Sequence, residues 1–128
     1  MSDAVQYLEL EDLLVAARAF LGRRPKVHDF GLLESALARP RATVFGEDAY
    51  PTVHEKAAAL LDSLVNNHAL VDGDKRLGWV ALRLFYGING YRVEASENEK
   101  VALVLAVAGG EFDEVGKIAQ RLTVLAHL

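Results

Sequence analysis

Apolar residues recur at helical spacing along most of this chain, and this periodicity constrains its fold more than any other feature. In the first such segment, one face of a helix is formed by Leu10, Leu13, Leu14, Ala17, Phe20 and Leu21. Gly22 follows at a position typical of a helix end. Similar stripes recur along the chain, and the predicted helices cover residues 10–21, 29–40, 52–68, 75–88, 97–108 and 113–125. The sequence therefore predicts an all-α fold, a compact single-domain bundle of about six helices spanning residues 1–128.

Capping residues mark where several of these helices begin. Thr52–Glu55 and Ser96–Glu99 have the spacing of a capping box, in which each side chain satisfies a backbone donor of the other residue. Asp29 and Asp113 are expected to cap the second and the last helix.

Two segments have a less regular pattern. Residues 41–51 carry aromatic and β-branched residues around Gly46, which predicts a loop or a short irregular hairpin before the helix that starts near 52. The segment 97–108 is nearly all apolar after its first turn, which predicts a central position in the bundle.

Composition excludes several classes of protein. The 128 residues are 52% apolar and 25% charged, which is typical of a globular chain, and the net charge of −4 argues against direct nucleic-acid binding. The absence of cysteine excludes disulfides and thiolate zinc sites. The acidic N-terminus does not resemble a signal peptide, and the longest apolar run, 101–108, is too short to cross a membrane. We therefore expect a soluble, cytoplasmic protein.

The residues that could take part in catalysis or ligand binding are concentrated in one stretch, NNHALVDGDKRLGW at 66–79. His68 lies four residues after Leu64, so it is expected to continue the inward stripe of its helix and to end that helix. Residues 71–74, VDGD, are then expected to turn the chain, and Lys75 and Arg76 to begin the next helix.

This junction has the components of a phosphate-transfer site. A helix that begins after Gly73 offers unpaired N–H groups and a positive dipole end to an anion, and Lys75 and Arg76 add cations suited to phosphate oxygens. Asp72 could hold magnesium that bridges phosphates, and His68 could remove a proton from a hydroxyl.

The same residues also have a purely structural interpretation. Asp72 or Asp74 could be a helix cap, His68 a hydrogen-bonded core residue, and Lys75 and Arg76 solvated side chains. Spacing alone favours this interpretation, because short motifs of this kind often occur by chance.

A resemblance extends over nearly the whole chain. HALVDGDKR at 68–76 resembles the signature H-x-F-x-[D/E]-G-N-[G/K]-R of the Fic/Doc superfamily. A lysine at the [G/K] position, here Lys75, is seen in the death-on-curing (Doc) branch of that superfamily. Other Doc-like segments follow in the family's order: YLELEDLL, GLLESALARP, FGEDAYPT, EKAAALLDSLVNNH, NGYRV and LVLAVAGGEFDEVGKIAQRL. The resemblance implies a small helical toxin of a bacterial toxin–antitoxin pair. Its partner would be an antitoxin whose disordered C-terminal segment folds into a groove on the toxin.

The resemblance also implies roles for individual residues. His68 would be the general base, Asp72 the magnesium ligand, Gly73 part of the anion cradle, and Lys75 and Arg76 the cationic phosphate ligands. The implied reaction is that of a kinase, which passes the γ-phosphoryl group of Mg-ATP to a hydroxyl of elongation factor Tu and so arrests translation. The segment near 41–51 would form a flap that docks the target chain, with Tyr50 either packing or making contact.

Three positions depart from the family pattern. Leu70 replaces a phenylalanine, which is a tolerable exchange of apolar residues, and Trp79 replaces the second arginine of AMP-transferring members. Asp74 replaces an asparagine, so a donor to phosphate is lost and a negative charge is added at the anion site. Magnesium between Asp74 and phosphate could reverse the effect of this charge by making Asp74 a second metal ligand. Two alternatives therefore stay open: a nucleotidyl (AMP-type) transferase, or a weakened Doc homologue that mainly binds its antitoxin and uses Asp74 as a helix cap.

Overall fold

The computed structural model describes residues 4–112 and 114–128, and most of them are helical. Within these residues the helices are α1 Leu10–Leu21, α2 Phe30–Ala38, α3 Val53–Asn66, α4 Asp74–Ile88, α5 Glu97–Ala108 and α6 Val115–Leu125. This confirms the predicted all-α fold with about six helices. No helix in the described part of the chain is both long enough and apolar enough to cross a membrane.

The predicted irregular hairpin before the third helix is also confirmed. Its strands, β1 Thr43–Val44 and β2 Glu47–Asp48, pair in antiparallel register. Phe45 and Gly46 form the turn, with φ values of 53° and 81°, and the side chain of Phe45 is fully exposed. A second short pair, β3 Arg92–Val93 with β4 Ala126–His127, has no counterpart in the sequence prediction.

Helix α3 is the centre of the bundle. It packs against α2, α4, α5 and α6, and three consecutive alanines, 57–59, are fully buried in it. Because alanine is small, neighbouring helices can approach α3 from several sides.

The prediction that the apolar helix 97–108 is central is wrong. Helix α5 buries only Leu103, Val104 and Val107 among its described residues, whereas Val101 and Leu105 are 43% and 55% exposed. An apolar composition cannot say how many neighbours a helix has, and α5 lies at the edge of the bundle with apolar residues uncovered.

The helix starts largely follow the predicted caps. Asp29 accepts a bond from the Gly31 amide, and Ser96–Glu99 forms both halves of its capping box. At Thr52 only half of the predicted box forms. The Glu55 amide donates to the Thr52 hydroxyl oxygen, but the Glu55 carboxylate accepts from the Thr52 hydroxyl rather than from the Thr52 amide. Asp113, the predicted cap of the last helix, lies outside the described residues.

The hairpin is fixed at its base by a buried lysine. The side chain of Lys56, on α3, is 1% exposed, and its Nζ donates to the Asp48 carboxylate at 3.1 Å and to the Pro40 carbonyl at 3.3 Å. Beyond the second strand, the Tyr50 hydroxyl accepts from Arg39 Nε at 3.0 Å, so Tyr50 is held against the body of the protein.

Candidate active site

The loop between α3 and α4 starts with a reversal of the chain at His68. Helix α3 ends at Asn66, and His68 has φ 57°, in the left-handed region that non-glycine residues seldom adopt. This reversal takes His68 off the stripe of α3, so the expectation that it faces inward at the helix end is wrong: its side chain is exposed. Ala69 and Leu70 occupy the buried positions instead.

The His68 imidazole is open to solvent and to a ligand. Among residues 4–112 and 114–128 it has no hydrogen-bond partner. The structural interpretation of His68 as a hydrogen-bonded core residue is therefore excluded, and the side chain is accessible to a bound group.

Backbone hydrogen bonds hold this loop against the segment that follows α1. The Val71 amide donates to the Lys26 carbonyl at 2.9 Å, and the His28 amide donates to the Ala69 carbonyl at 2.7 Å. The position of the loop is thus set by a second segment that lies more than forty residues earlier in the sequence.

The start of α4 provides an anion cradle, by which we mean the backbone N–H groups of residues 74–76 and the side chains of Lys75 and Arg76. The first helical hydrogen bond runs from the Leu77 amide to the Gly73 carbonyl at 2.8 Å, so the three preceding amides lack an acceptor within the helix. These donors and the helix dipole favour a bound anion.

Glycine is required at the entrance to the cradle. Gly73 has φ 98°, and a Cβ atom there would lie 3.0 Å from Cε1 of Phe20. A side chain at this position would be strained by the backbone and would press on the aromatic ring.

The two cations of the cradle point outward. Both side chains are exposed, and the guanidinium of Arg76 lies 5.0 Å from the centre of the Phe20 ring, within cation–π distance. Beyond them a cavity of about 460 Å³ opens between α4 and α5, with Lys75, Arg76, Trp79 and Lys100 among its lining residues. The cavity adjoins the cradle and is large enough for part of a ligand.

Asp72 precedes Gly73 and is exposed between two arginines. Its Oδ2 atom lies 3.6 Å from Arg76 Nη2 and 4.0 Å from Arg23 Nη2. No group of three or more metal-ligating side chains occurs in the described part of the chain. A single carboxylate beside a phosphate site nevertheless fits magnesium, which usually takes one or two carboxylates together with substrate phosphates and water.

Asp74 does not cap its own helix, so that expectation is wrong. The cap position is occupied by Gly73, and Asp74 is the first helical residue. Its Oδ1 accepts from the Leu70 amide at 3.0 Å and closes the loop across four residues. An asparagine could form the same bond through its carbonyl oxygen and retain two N–H donors, which the carboxylate lacks.

The six predicted site residues lie on the loop between α3 and α4 and on the first turn of α4; four are exposed (His68, Asp72, Lys75 and Arg76), and two are half-buried (Gly73 and Asp74). Sequence reasoning missed two neighbours, Phe20 and Arg23. Phe20 belongs to the apolar stripe of α1, and Arg23 belongs to a basic run that suggests only solvated charge. Neither pattern indicates that the end of α1 lies against this loop.

Comparisons with known proteins identify the family of this chain. The model of the Fic/DOC family matches residues 3–86, which include the hairpin, α3, the loop and most of α4. A curated relative named Toxin Doc, from Mycolicibacterium smegmatis, is 54% identical over 90 residues, a match that covers 70% of this chain and 69% of the relative. The chain therefore belongs to the Fic/Doc superfamily and is of the death-on-curing (Doc) type.

Proposed function

We propose that this protein is the toxin of a toxin–antitoxin pair and acts as a phosphotransferase, passing the γ-phosphoryl group of Mg-ATP to a hydroxyl of a protein target. The observation that carries this proposal is an exposed, unpartnered His68 next to a glycine-led helix start that bears Lys75 and Arg76. The proposed base and the anion site thus lie at the two ends of one short loop, between α3 and α4.

Each residue has a chemical task in this reaction. His68 accepts the proton of the target hydroxyl while the hydroxyl oxygen forms a bond to the γ-phosphorus. The bond from that phosphorus to the β–γ bridging oxygen breaks, and ADP leaves. The cradle amides, Lys75 and Arg76 bind phosphate oxygens and hold the γ-phosphoryl group in line with the hydroxyl. Asp72 is suited to hold magnesium, which when bound neutralises charge on the phosphates.

The residue at position 79 favours phosphoryl transfer over nucleotidyl transfer. In AMP-transferring members of the superfamily a second arginine is expected there, whereas this chain has Trp79, which is 9% exposed and packs in the core. Without that guanidinium the cradle has fewer ligands for an extended polyphosphate held in the AMP-transferring orientation.

The target is proposed from the resemblance to be elongation factor Tu, with translation arrest as the result. The hairpin 43–48 is suited to hold a target chain, because its tip bears the exposed Phe45 and its base is anchored through Lys56 and Asp48. An exposed aromatic on a fixed arm provides a contact for an apolar site on a partner.

The proposal is tested by label transfer into purified elongation factor Tu and into bacterial lysate proteins. ATP labelled at the γ- or the α-phosphate is supplied with magnesium to the native chain, to His68→Ala and to His127→Ala, a control at an exposed histidine on β4. Transfer of γ-label that depends on His68 and not on His127 is the expected result. Label from the α-phosphate would instead establish nucleotidyl transfer.

Asp74 favours one second candidate, a weakened homologue whose main activity is to bind its antitoxin. The carboxylate is committed to the Leu70 amide and cannot donate to phosphate. If the native chain transfers no label while Asp74→Asn transfers γ-label, the chain is a disabled phosphotransferase.

The antitoxin is proposed to lie in an apolar groove between α1 and α4. This groove, of about 620 Å³, includes Val15, Leu84 and Ile88, which are all partly exposed, and it continues through Phe20 towards the cradle. An amphipathic segment could bury these side chains and close the entrance to the site. Val15→Asp should then abolish co-purification with a co-expressed antitoxin without abolishing γ-label transfer.

A further inference from the structure

We propose that Arg23 is a third cationic phosphate ligand of this site, one that binds the polyphosphate of the nucleotide next to the anion cradle. The inference rests on the proposed function, because it assumes that a polyphosphate binds there. It adds a residue from outside the loop signature and from a different part of the fold.

The first support is the convergence of two arginines on one atom. Arg23 and Arg76 both place Nη2 within 4.0 Å of Oδ2 of Asp72. Arg76 belongs to α4, whereas Arg23 follows α1, so the two guanidinium groups reach the same point from separate elements.

The second support is that the segment bearing Arg23 is held in place. Helix α1 is capped at its C-terminal end by Gly22, which has φ 71° and donates its amide to the Arg18 carbonyl at 2.9 Å. Three residues after Arg23, the Lys26 carbonyl accepts from Val71 in the loop. The backbone around Arg23 is therefore fixed to the same loop that carries His68 and Asp72.

The third support is the position of Phe20, one turn before Arg23. Its ring lies against the place where a Gly73 side chain would be, and it also faces the guanidinium of Arg76. The end of α1 thus forms a wall of the cradle, and Arg23 extends from the end of that wall.

Electrostatics explain why the arrangement suits a polyphosphate. Two arginines that share one exposed carboxylate leave a surplus of positive charge. Each of these surface ion pairs contributes little to folding stability, so it is easily exchanged for a ligand. A polyphosphate offers more oxygens and more negative charge, and guanidinium groups match phosphate geometry well. When phosphate takes the arginines, Asp72 is released for magnesium, so binding of nucleotide and metal is coupled.

Arg24 provides a matched control in the same basic run. It lies on another surface depression, with Glu11, Arg18 and Phe30, away from the cradle residues. Replacing Arg24 removes the same charge from the next position in the chain while leaving the geometry at Asp72 unchanged.

The test is titration calorimetry of the full chain with Mg-ATP and with Mg-tripolyphosphate at fixed ionic strength, for the native protein, Arg23→Ala, Arg23→Lys and Arg24→Ala. We expect Arg23→Ala to lower the affinity for both ligands about tenfold, which corresponds to one lost contact of about 1.4 kcal/mol. Arg24→Ala should change affinity less than about twofold, as expected for a general effect of surface charge. Arg23→Lys should fall between these values, because lysine keeps the charge and loses the bidentate fork. Melting curves verify that each variant is folded.

The outcomes separate this inference from the proposed function. If Arg23→Ala and Arg24→Ala have the same effect, the role of Arg23 is overturned while Mg-ATP binding stands. If the native chain binds tripolyphosphate in an Arg23-dependent manner and does not bind Mg-ATP, the phosphate site stands and the kinase proposal fails. If the folded native chain binds neither ligand, both are overturned.

Discussion

Two ion pairs in this protein each join a basic side chain to an aspartate on the surface, but the basic side chain is buried in one pair and exposed in the other. At the base of the hairpin, Lys56 is buried and donates to Asp48 and to a backbone carbonyl. At the cradle, Arg76 and Asp72 are both exposed and their closest atoms are 3.6 Å apart. A buried charge that loses its partners is costly, whereas exposed charges exchange partners freely. The first pair therefore fixes the position of a structural arm, and the second leaves two groups available to ligands.

The largest expected effect is at Lys56. Replacement by alanine should lower the free energy of unfolding by about 2–4 kcal/mol, because a long buried side chain is lost and the Pro40 carbonyl loses its donor. Urea denaturation measures the change. Lys100→Ala, which breaks the exposed pair with Glu97, is the control and should cost less than about 0.5 kcal/mol. Equal losses for the two lysines would show that burial of the Lys56 side chain adds nothing to stability.

Asp74 is intermediate, because it is half-buried and accepts one backbone bond. Asp74→Ala should cost about 1–2 kcal/mol of unfolding free energy through loss of the bond from Leu70. Asp74→Asn should cost less than about 1 kcal/mol, since the amide oxygen still accepts that bond. Calorimetry should show tighter Mg-ATP binding by the asparagine variant. A variant that binds nucleotide no better than the native chain would show that the extra negative charge is not what limits affinity.

Two substitutions at His68 test how much backbone strain the exposed loop carries. At φ 57° an alanine is disfavoured and a glycine is not, so His68→Gly should be more stable than His68→Ala by about 1 kcal/mol. Denaturation of the two variants gives the difference, and neither should transfer label. If alanine were equally stable, the left-handed conformation of the loop would not persist in solution.

The smallest effect concerns His54, near Lys56 on α3. Burial lowers the pKa of His54, whose Nδ1 lies 2.8 Å from the Tyr86 hydroxyl oxygen. The unfolded chain, in which a histidine has a pKa of about 6.5, then takes up the proton more readily than the folded chain. The part of the unfolding free energy that depends on neutral His54 should therefore be fully present above that pH. It should decrease as the pH falls towards 5. Denaturation at several pH values should show a flatter profile for His54→Gln.

Tyr86→Phe separates burial from the hydrogen bond. This variant removes the hydroxyl that contacts His54 but keeps an aromatic ring in the same place. Because burial is the cause of the lowered pKa, the acid-side loss of stability should persist in it. Loss of the pH dependence in Tyr86→Phe would assign the effect to the hydroxyl instead.

Local patterns in the sequence predict most of the helices and fail where the answer depends on distant neighbours. The stripe that ends at Gly22 and the cap at Asp29 are properties of a few adjacent residues, and the structure confirms both. The exposed outer side of α5 depends on which helices pack against it, which apolar composition cannot indicate.

The candidate site shows the same limit at the scale of single residues. Helical spacing places His68 on the inward face only if the helix continues, and one left-handed residue is enough to reverse that orientation. The family signature identifies the loop residues, yet it does not indicate that Phe20 and Arg23 lie beside them. Those contacts join residues about fifty positions apart and depend on how α1 packs against the start of α4.

The exposed tip of the hairpin has a consequence for the lifetime of a complex. Because the ring of Phe45 is fully in water, its transfer from water contributes nothing to folding and is available in full to a complex. Complete burial of such a side chain is worth about 1.5–3 kcal/mol. Because about 1.4 kcal/mol corresponds to a tenfold change, a partner that encloses this ring would remain bound roughly ten to a hundred times longer. For the target proposed above, the residence time on this protein would thus be adjustable through one side chain that the fold itself does not need.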